Sequence, residues 1–320
     1  MSQDDSSSVL LFSGGVGGAK LVDGFARLEP GRPLDIIGNT GDDVEQHGLW
    51  ISPDLDIVTY TLAGIVDDEK GWGIEGDTFR TIEMLNRLGE DTWMNLGDLD
   101  LATHIYRTKQ RRAGVRPTVI ASDIARRLGV SGARVMPPTD EFLQTMVETD
   151  EGAMNFQAYY LKARCRPEPR DVWFDGADTA QATPEVLDAI GTASLIVVAP
   201  SNPVASIGPI LAVDGVRNAL AAASTFRVAV CPLIGGQSLK GPSDRMMRAK
   251  GFSSDALGVA KYYDGLIDAI VIDEADRAHR AELEEMGLKV KTTRTVMQSK
   301  EDRVRLAGEI AEWGAGVRAR

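Results

Sequence analysis

Four apolar residues, Val9-Leu10-Leu11-Phe12, run straight into Ser13-Gly14-Gly15-Val16-Gly17-Gly18-Ala19-Lys20. No other stretch limits the fold of this chain so tightly. The apolar run reads as a buried strand, and the glycines form a tight turn feeding a helix expected near 17–28. Glycine lets backbone approach a ligand closely, and the free N–H groups of a helix start favour an anion. The loop therefore reads as a phosphate site at the carboxyl end of a first strand. Its candidate residues are Ser13, Gly14, Gly15, Gly17, Gly18 and Lys20. A ligand-free strand-to-helix turn is the plain alternative. Two familiar motifs are nearly matched, and both fail. The dinucleotide fingerprint G-x-G-x-x-G, counted from Gly15, meets Lys20 where its third glycine belongs. The Walker A loop needs Gly-Lys-Ser/Thr, and here Ala19 separates Gly18 from Lys20.

Further strand candidates lie at Leu34–Ile37, Ser194–Ala199, Arg227–Val230 and Ala269–Ile272, mostly apolar on both faces. Helical periods fall near 76–88, 183–191, 215–224, 255–264, 277–286 and 300–313. This alternation predicts an α/β fold: a Rossmann-like, doubly wound, mostly parallel sheet with helices on both faces. The middle reads differently. A basic helical segment at Thr118–Leu128 precedes two strands around Asp150-Glu151-Gly152, within 141–163. Residues 107–169 are expected to form an inserted small lobe on a core built from 9–106 and 170–316. Residues 1–8, polar and acidic, are expected to be a disordered tail rather than a targeting peptide.

The net charge of −12 argues against a general nucleic-acid binder, which usually carries a basic face. It leaves room for a phosphorylated small molecule, because loop amides and a few local cations hold phosphate inside acidic proteins. Cys165 and Cys231 sit in unrelated contexts with no metal-binding spacing, and read as reduced packing thiols. No apolar run approaches the roughly 20 residues that span a bilayer. A cytoplasmic protein without membrane or nucleic-acid partners is expected.

A second candidate site follows the second strand. Asn39-Thr40-Gly41-Asp42-Asp43 places two carboxylates at the edge that carries the glycine loop. Asp54 and Asp56 lie two apart, and in an extended segment they point to one side, as a shared divalent cation requires. Asp42, Asp43, Asp54 and Asp56 are thus the candidate metal ligands, with Mg²⁺ as the ion suited to carboxylates plus phosphate oxygens. Capping is the competing role: Asp56 precedes a helical run at Ile57–Ile65 and is a candidate N-cap. Asp77-Thr78 looks like a helix start, with Asp98 or Asp100 as a cap for the next helix. His104 and Arg107 fall three apart on that helix and share a face that could meet phosphate. Ser201, Asn202 and Ser206, after another strand, offer hydroxyl and amide groups to a base or ribose edge. The segment Gly235-Gly236 to Lys240-Gly241-Pro242 reads as a flexible loop able to close over a nucleotide. No Ser-His-Asp order, HExxH or zinc spacing is present, so covalent nucleophilic catalysis is not supported.

Together these motifs resemble the 2-phospho-L-lactate transferase family of coenzyme F420 biosynthesis. The likeness is carried by SGGVGGAKL (13–21), N-x-G-D-D (39–43), ISPDLD with TYTLAG (51–64) and WGIEGDT (72–78). It continues through LGDLDLATH (96–104), MNFQAYY (154–160), APSNPVASIGPI (199–210) and DALGVAKYYDGLID (255–268). The resemblance implies a Mg²⁺-dependent transfer, in which a guanosine diphosphate donor gives its three-carbon phospho-acid to the deazaflavin Fo and GMP leaves. Phospholactate, phosphoenolpyruvate and 3-phosphoglycerate donors all fit such a family. The resemblance also implies that Asp56 and Asn95 contact Fo, beside Asn39 and Thr40. Asp42 and Asp56 would face the metal and carry catalysis, with the glycine loop and the Ser201–Asn202 segment on the nucleotide. A homodimer is expected on the same ground.

Two rival readings remain. A related family of regulatory proteins binds nucleotide sugars without turnover, but continues its Asp-Asp segment with a glycine-serine run. Here Val44-Glu45-Gln46-His47-Gly48 follows instead. A nicotinamide-dependent dehydrogenase needs the missing third glycine and an acidic residue ending the second strand, where Gly38-Asn39 stands.

Overall fold

The structure, a computed structural model, describes residues 8–318. Of the expected tail, residues 1–7 lie outside the described residues. The first strand, β1 (Val9–Ser13), is followed by helix α1 (Gly15–Leu28) and strand β2 (Leu34–Gly38). Both strands belong to a parallel seven-stranded sheet, ordered Lys289–Thr293, Ala269–Asp273, Arg227–Val230, Leu195–Val198, β1, β2, Ala133–Met136. The chain builds outward from β1 to one edge, returns to Leu195–Val198 on the other side, and builds to the opposite edge. The gap between β1 and Leu195–Val198 is therefore the switch point, where ligands bind in open α/β sheets.

Alternate residues of each strand feed two separate cores. Leu10 and Phe12 join Ile37, Ile196, Val198, Ile270 and Ile272 on one face. Val9 and Leu11 join Leu34, Ile36, Val197, Val228 and Val271 on the other. That two-sided burial is why the strands are apolar throughout rather than alternating. On the second face α1 lies against the C-terminal helix Lys300–Arg318. A Cβ on Gly24 would stand 2.2 Å from the Arg303 carbonyl oxygen, so glycine permits the close crossing.

Both edge strands, Ala133–Met136 and Lys289–Thr293, fall outside the sequence candidates. An edge strand has one solvent-facing side, so Lys289, Lys291 and Arg134 dilute the apolar signal. Arg134 reaches back to Asp35 on β2, with Nε donating to Oδ1 at 2.5 Å. The segment expected as an inserted lobe holds the end of helix α4 (Asp98–Arg112), helix α5 (Pro117–Arg127) and this edge strand. It also holds the hairpin Gln144–Thr149 and Gly152–Asn155, which pairs antiparallel with Pro169–Asp175 as a second sheet. After Asn155 the chain forms a π-helical turn at Ala158–Lys162. Near the C-terminus, a 3-10 turn at Glu274–His279 shortens the expected helix to Arg280–Glu285. Among the described residues, no helix is long and apolar enough to cross a membrane.

Candidate functional site

Ser13 ends β1, and Gly15, at φ 63°, turns the chain into α1. The loop is packed closely on three sides. A Cβ on Gly14 would lie 2.5 Å from Ser206 Cβ and 2.7 Å from Asp54 Oδ2. One on Gly17 would meet the Pro200 carbonyl oxygen at 2.5 Å, and one on Gly18 would meet Ser13 Oγ at 2.4 Å. Glycine is thus needed here for backbone approach. The Gly14 N–H donates to Ser201 Oγ at 3.1 Å, tying the loop to the strand end across the switch point. The first turn of α1 carries no acidic side chain; its Gly15 N–H bonds the Asp54 carboxylate, and the N–H groups after it face the anion position.

A cavity of about 700 Å³ opens over this loop. It gathers Gly14, Gly15, Gly17, Lys20, Asp42, Asp54, Asp56, Asn95, His104, Ser201, Asn202 and Ser206. Ser13, Gly18 and Asn39 are buried and do not line it. Thr40, Asp43 and Arg107 line a separate cavity of about 20 Å³, room for one water molecule.

The four aspartates do not form one cluster. Helix α2 (Pro53–Leu62) starts at Pro53, so the segment expected to be extended is helical and Asp56 lies in its first turn, with Ser52 at the N-cap position. Residues two apart on a helix point roughly 200° apart. Asp54 therefore faces the glycine loop, where Asn39 Nδ2 donates to its Oδ2 at 2.9 Å. Asp42 lies beside it, and its Oδ1 is buried without a hydrogen-bond partner among the described residues. Burial, then the Asp54 charge, pushes the Asp42 carboxyl well above the usual carboxylate range. Burial pushes Asp54 up to about 6 against the Asn39 and Gly15 hydrogen bonds. Two buried carboxylates side by side need a proton or a cation between them. An unpartnered carboxylate oxygen beside a second buried carboxylate, in the cavity that holds the glycine loop, fits a hard divalent cation such as Mg²⁺.

Asp43 turns away and accepts from Trp50 Nε1 at 2.8 Å and Ser52 Oγ at 2.7 Å. Burial outweighs these bonds and pushes its carboxyl up to about 7. Both carboxyl groups therefore bind protons in the folded protein that an unfolded chain sheds near pH 4. Stability should fall as pH rises through about 4–7. The melting temperature is expected to drop from about pH 5 to pH 8 in chelator, and Mg²⁺ should reduce that drop by neutralising Asp54 and Asp42. A melting temperature that climbs over this interval would contradict the assignment.

Asp56 has a different environment. Arg107 Nη1 donates to Asp56 Oδ2 at 3.0 Å while Nη2 donates to Oδ1, a bidentate pair buried on both sides. The face shared by His104 and Arg107, read as facing phosphate, instead meets this carboxylate. Arg107 Nη1 lies 3.2 Å from His104 Nδ1, which makes Nδ1 the acceptor and places the ring proton on Nε2, toward Asp100 Oδ1 at 3.4 Å. The Tyr60 hydroxyl donates to the same Asp100 oxygen at 2.6 Å. Burial and the two carboxylate charges push the Tyr60 hydroxyl well above its ordinary value, so it stays a donor. Asp56, Asp100 and His104 bring ligand atoms within 4.8 Å of one another. With both Asp56 oxygens already on a guanidinium, a cation there would compete with Arg107.

Other candidates have structural duties. Asn39 is fully engaged: Nδ2 also donates to the Ala205 carbonyl at 3.3 Å, and Oδ1 accepts from Gly41 N at 2.7 Å. Asn202 caps its turn by accepting from Val204 N at 3.0 Å and Ala205 N at 3.2 Å. Asp98 accepts from Thr81 N at 2.9 Å, at the start of helix α3 (Arg80–Arg87). Asp77 accepts from Leu99 N at 2.8 Å, at the start of α4, so the two helices cap each other. Lys20 Nζ donates to the Met297 carbonyl at 2.9 Å. Tyr60, Asp100, Trp72 and the stacked pair Phe156–Tyr160 also line the cavity, and none of them is singled out as a site residue by the sequence. They fall within the stretches TYTLAG, WGIEGDT, LGDLDLATH and MNFQAYY that carry the family resemblance, but their residue types and spacing name no ligand. Asp100, read from the sequence as a candidate helix cap, lies four residues before His104 on α4.

The model of the family described as 2-phospho-L-lactate transferase CofD matches residues 9–307. A phosphoenolpyruvate transferase from Streptomyces griseus is 38% identical over 317 residues, covering 97% of this chain and 99% of its own. A 2-phospho-L-lactate transferase from Methanopyrus kandleri is 41% identical over 304 residues, covering 94% and 95%. Among solved structures, a Bacillus halodurans protein of the UPF0052 family superposes with a TM-score of 0.65 at 15% identity, covering 97% of this chain and 100% of its own. That last likeness concerns the fold alone.

Proposed function

The chain belongs to the 2-phospho-L-lactate transferase CofD family of transferases, and on that premise we propose that it moves a three-carbon phospho-acid from a guanosine diphosphate donor to the deazaflavin Fo in coenzyme F420 biosynthesis. The observation that carries this reading is the carboxylate pair Asp42 and Asp54 beside an anion-binding loop in one cavity. A carboxylate packed against Gly14 would repel a diphosphate unless a cation lay between them. Asp42 and Asp54 would hold Mg²⁺, which when bound offsets diphosphate charge and polarises the reacting phosphorus.

In the transfer, an Fo side-chain hydroxyl oxygen bonds to the phosphorus that carries the acid. The bond from that phosphorus to the bridging oxygen breaks, and GMP leaves with that oxygen and its electron pair. The hydroxyl proton passes to a carboxylate of the site. Asp56, held in place by the bidentate Arg107 contact, orients the hydroxyl from the cavity wall. Phosphoryl transfer rests mainly on such positioning and charge neutralisation, and a covalent nucleophile is not required. The planar acceptor would find apolar and aromatic walls in Trp72, Trp93 and the Phe156–Tyr160 stack.

The test is direct. Purified protein is incubated with Fo, Mg²⁺ and competing guanylylated phospholactate, phosphoenolpyruvate and 3-phosphoglycerate donors, and products are read by mass spectrometry. One deazaflavin product of added phospho-acid mass is expected, and its mass names the acid. No product from any donor would reject the reading.

A further inference from the structure

We propose that Lys20 and Lys240 form a two-cation clamp on the second phosphate of a nucleoside diphosphate, so that the cavity holds the diphosphate donor and lets the monophosphate go. The inference rests on the nucleotide-diphosphate reading above. Lys20 stands one turn past the glycine loop, on the face of α1 that carries Val16 and Gly17. Its Nζ spends one N–H on the Met297 carbonyl, which leaves two donors. Lys240 comes from the opposite rim, on the exposed loop after the small hairpin Leu233–Ile234 and Gln237–Ser238. The two lysines line the same cavity.

A third segment shows how near the rims approach. A Cβ placed on Gly71 would lie 3.3 Å from Val16 Cγ1 and 3.6 Å from Lys240 Nζ. Lys240 therefore reaches across Gly71 toward the glycine loop, and Gly71, at φ 75°, leaves the passage open.

The charges around the clamp are already matched to one another. Arg303 donates to Asp23 and to Asp68, each at 2.9 Å. Arg27 takes the other oxygen of Asp23 at 2.7 Å, and Lys300 lies 3.3 Å from Asp68. No carboxylate among the described residues lies within ion-pair distance of Lys20 or Lys240. Two cations lining one cavity with no ion-paired carboxylate, Asp68 acting on Lys20 only from beyond contact distance, constitute an anion subsite. The ammonium of Lys20 feels this: burial first, then Arg303 and Lys240, lower its pKa.

The reaction gives the clamp its purpose. The second phosphate departs with the acid onto the acceptor, while the leaving nucleotide keeps one phosphate. A grip on the second phosphate therefore separates donor from product, whereas a grip on the first would retain both.

Titration calorimetry of the full chain with GDP and with GMP, in Mg²⁺, tests this. Lys240→Ala is expected to weaken GDP binding about tenfold or more, the usual worth of a charge-assisted hydrogen bond, and to leave GMP within about twofold. Lys240→Arg should restore most of the GDP affinity. Because Lys240 is exposed, melting temperatures should match the wild type and exclude unfolding as the cause. Equal weakening for GDP and GMP, or no change for either, overturns the clamp while leaving the transferase reading intact. Failure of the wild-type protein to bind either nucleotide overturns both.

Discussion

Arg107→Met is expected to lower the unfolding free energy by about 3–5 kcal/mol, the cost of stranding a buried charge. The guanidinium meets both oxygens of Asp56, and both side chains are almost wholly shielded from water. Methionine fills a similar volume but leaves the carboxylate in a dry wall without its partner. Urea unfolding read by tryptophan fluorescence measures the loss. The double variant Arg107→Met/Asp56→Leu removes both charges and should recover most of the stability while remaining inactive. That pairing separates the two roles of Asp56. A double variant no more stable than Arg107→Met would show that the pair is not the source of the effect. The same pairing means Asp56→Ala strands the guanidinium, so a loss of activity in that variant would mix folding with chemistry.

Asp42→Asn is expected to act in the opposite sense on stability and far more strongly on turnover. The amide removes one of two buried like charges, so at about pH 8 in chelator this variant should melt at or above the wild-type temperature. Turnover should fall on the order of 10²–10³-fold, as removal of a principal electrostatic stabiliser of a charged transition state does. The rise in melting temperature that Mg²⁺ gives the wild type should vanish with it. An Asp42→Asn protein that keeps turnover within a few-fold, and still responds to Mg²⁺, would remove Asp42 from the metal site. Stability gained where activity is lost marks a residue kept for function.

These expectations differ from what residue spacing implied, and the cause is local. The pair Asp54 and Asp56 looked like one side of an extended segment. The sequence held a contrary signal, Ser52-Pro53, the usual opening of a helix with proline in its first turn. Once helical, the segment sends Asp54 to the glycine loop and Asp56 to α4. A helix start was expected at Asp77-Thr78; α3 begins at Arg80, and Asp77 serves the start of α4 instead. The reciprocal geometry was not legible, because each carboxylate caps the other's helix across about 20 residues. His104 and Arg107 do share a face, as their spacing required. Their partner Asp56 lies 51 residues away from Arg107 in sequence, beyond the reach of any periodicity.

The sequence by itself determined the parts whose physics is local. An apolar run, glycines and an amphipathic stretch dictate β1, its loop and α1, and their repetition dictates a parallel sheet covered on both faces. Sheet order put the ends of β1, β2 and Leu195–Val198 side by side, so motifs far apart in the chain share one cavity. What only the tertiary structure decided is the sorting of charge within that cavity. Asp42 and Asp54 are buried side by side, Asp56 is given to Arg107, Asp43 is turned to Trp50, and Lys20 and Lys240 line the opening outside any ion pair. Electrostatic partnership depends on distance and burial across elements, and neither is written in the spacing of residues along one chain.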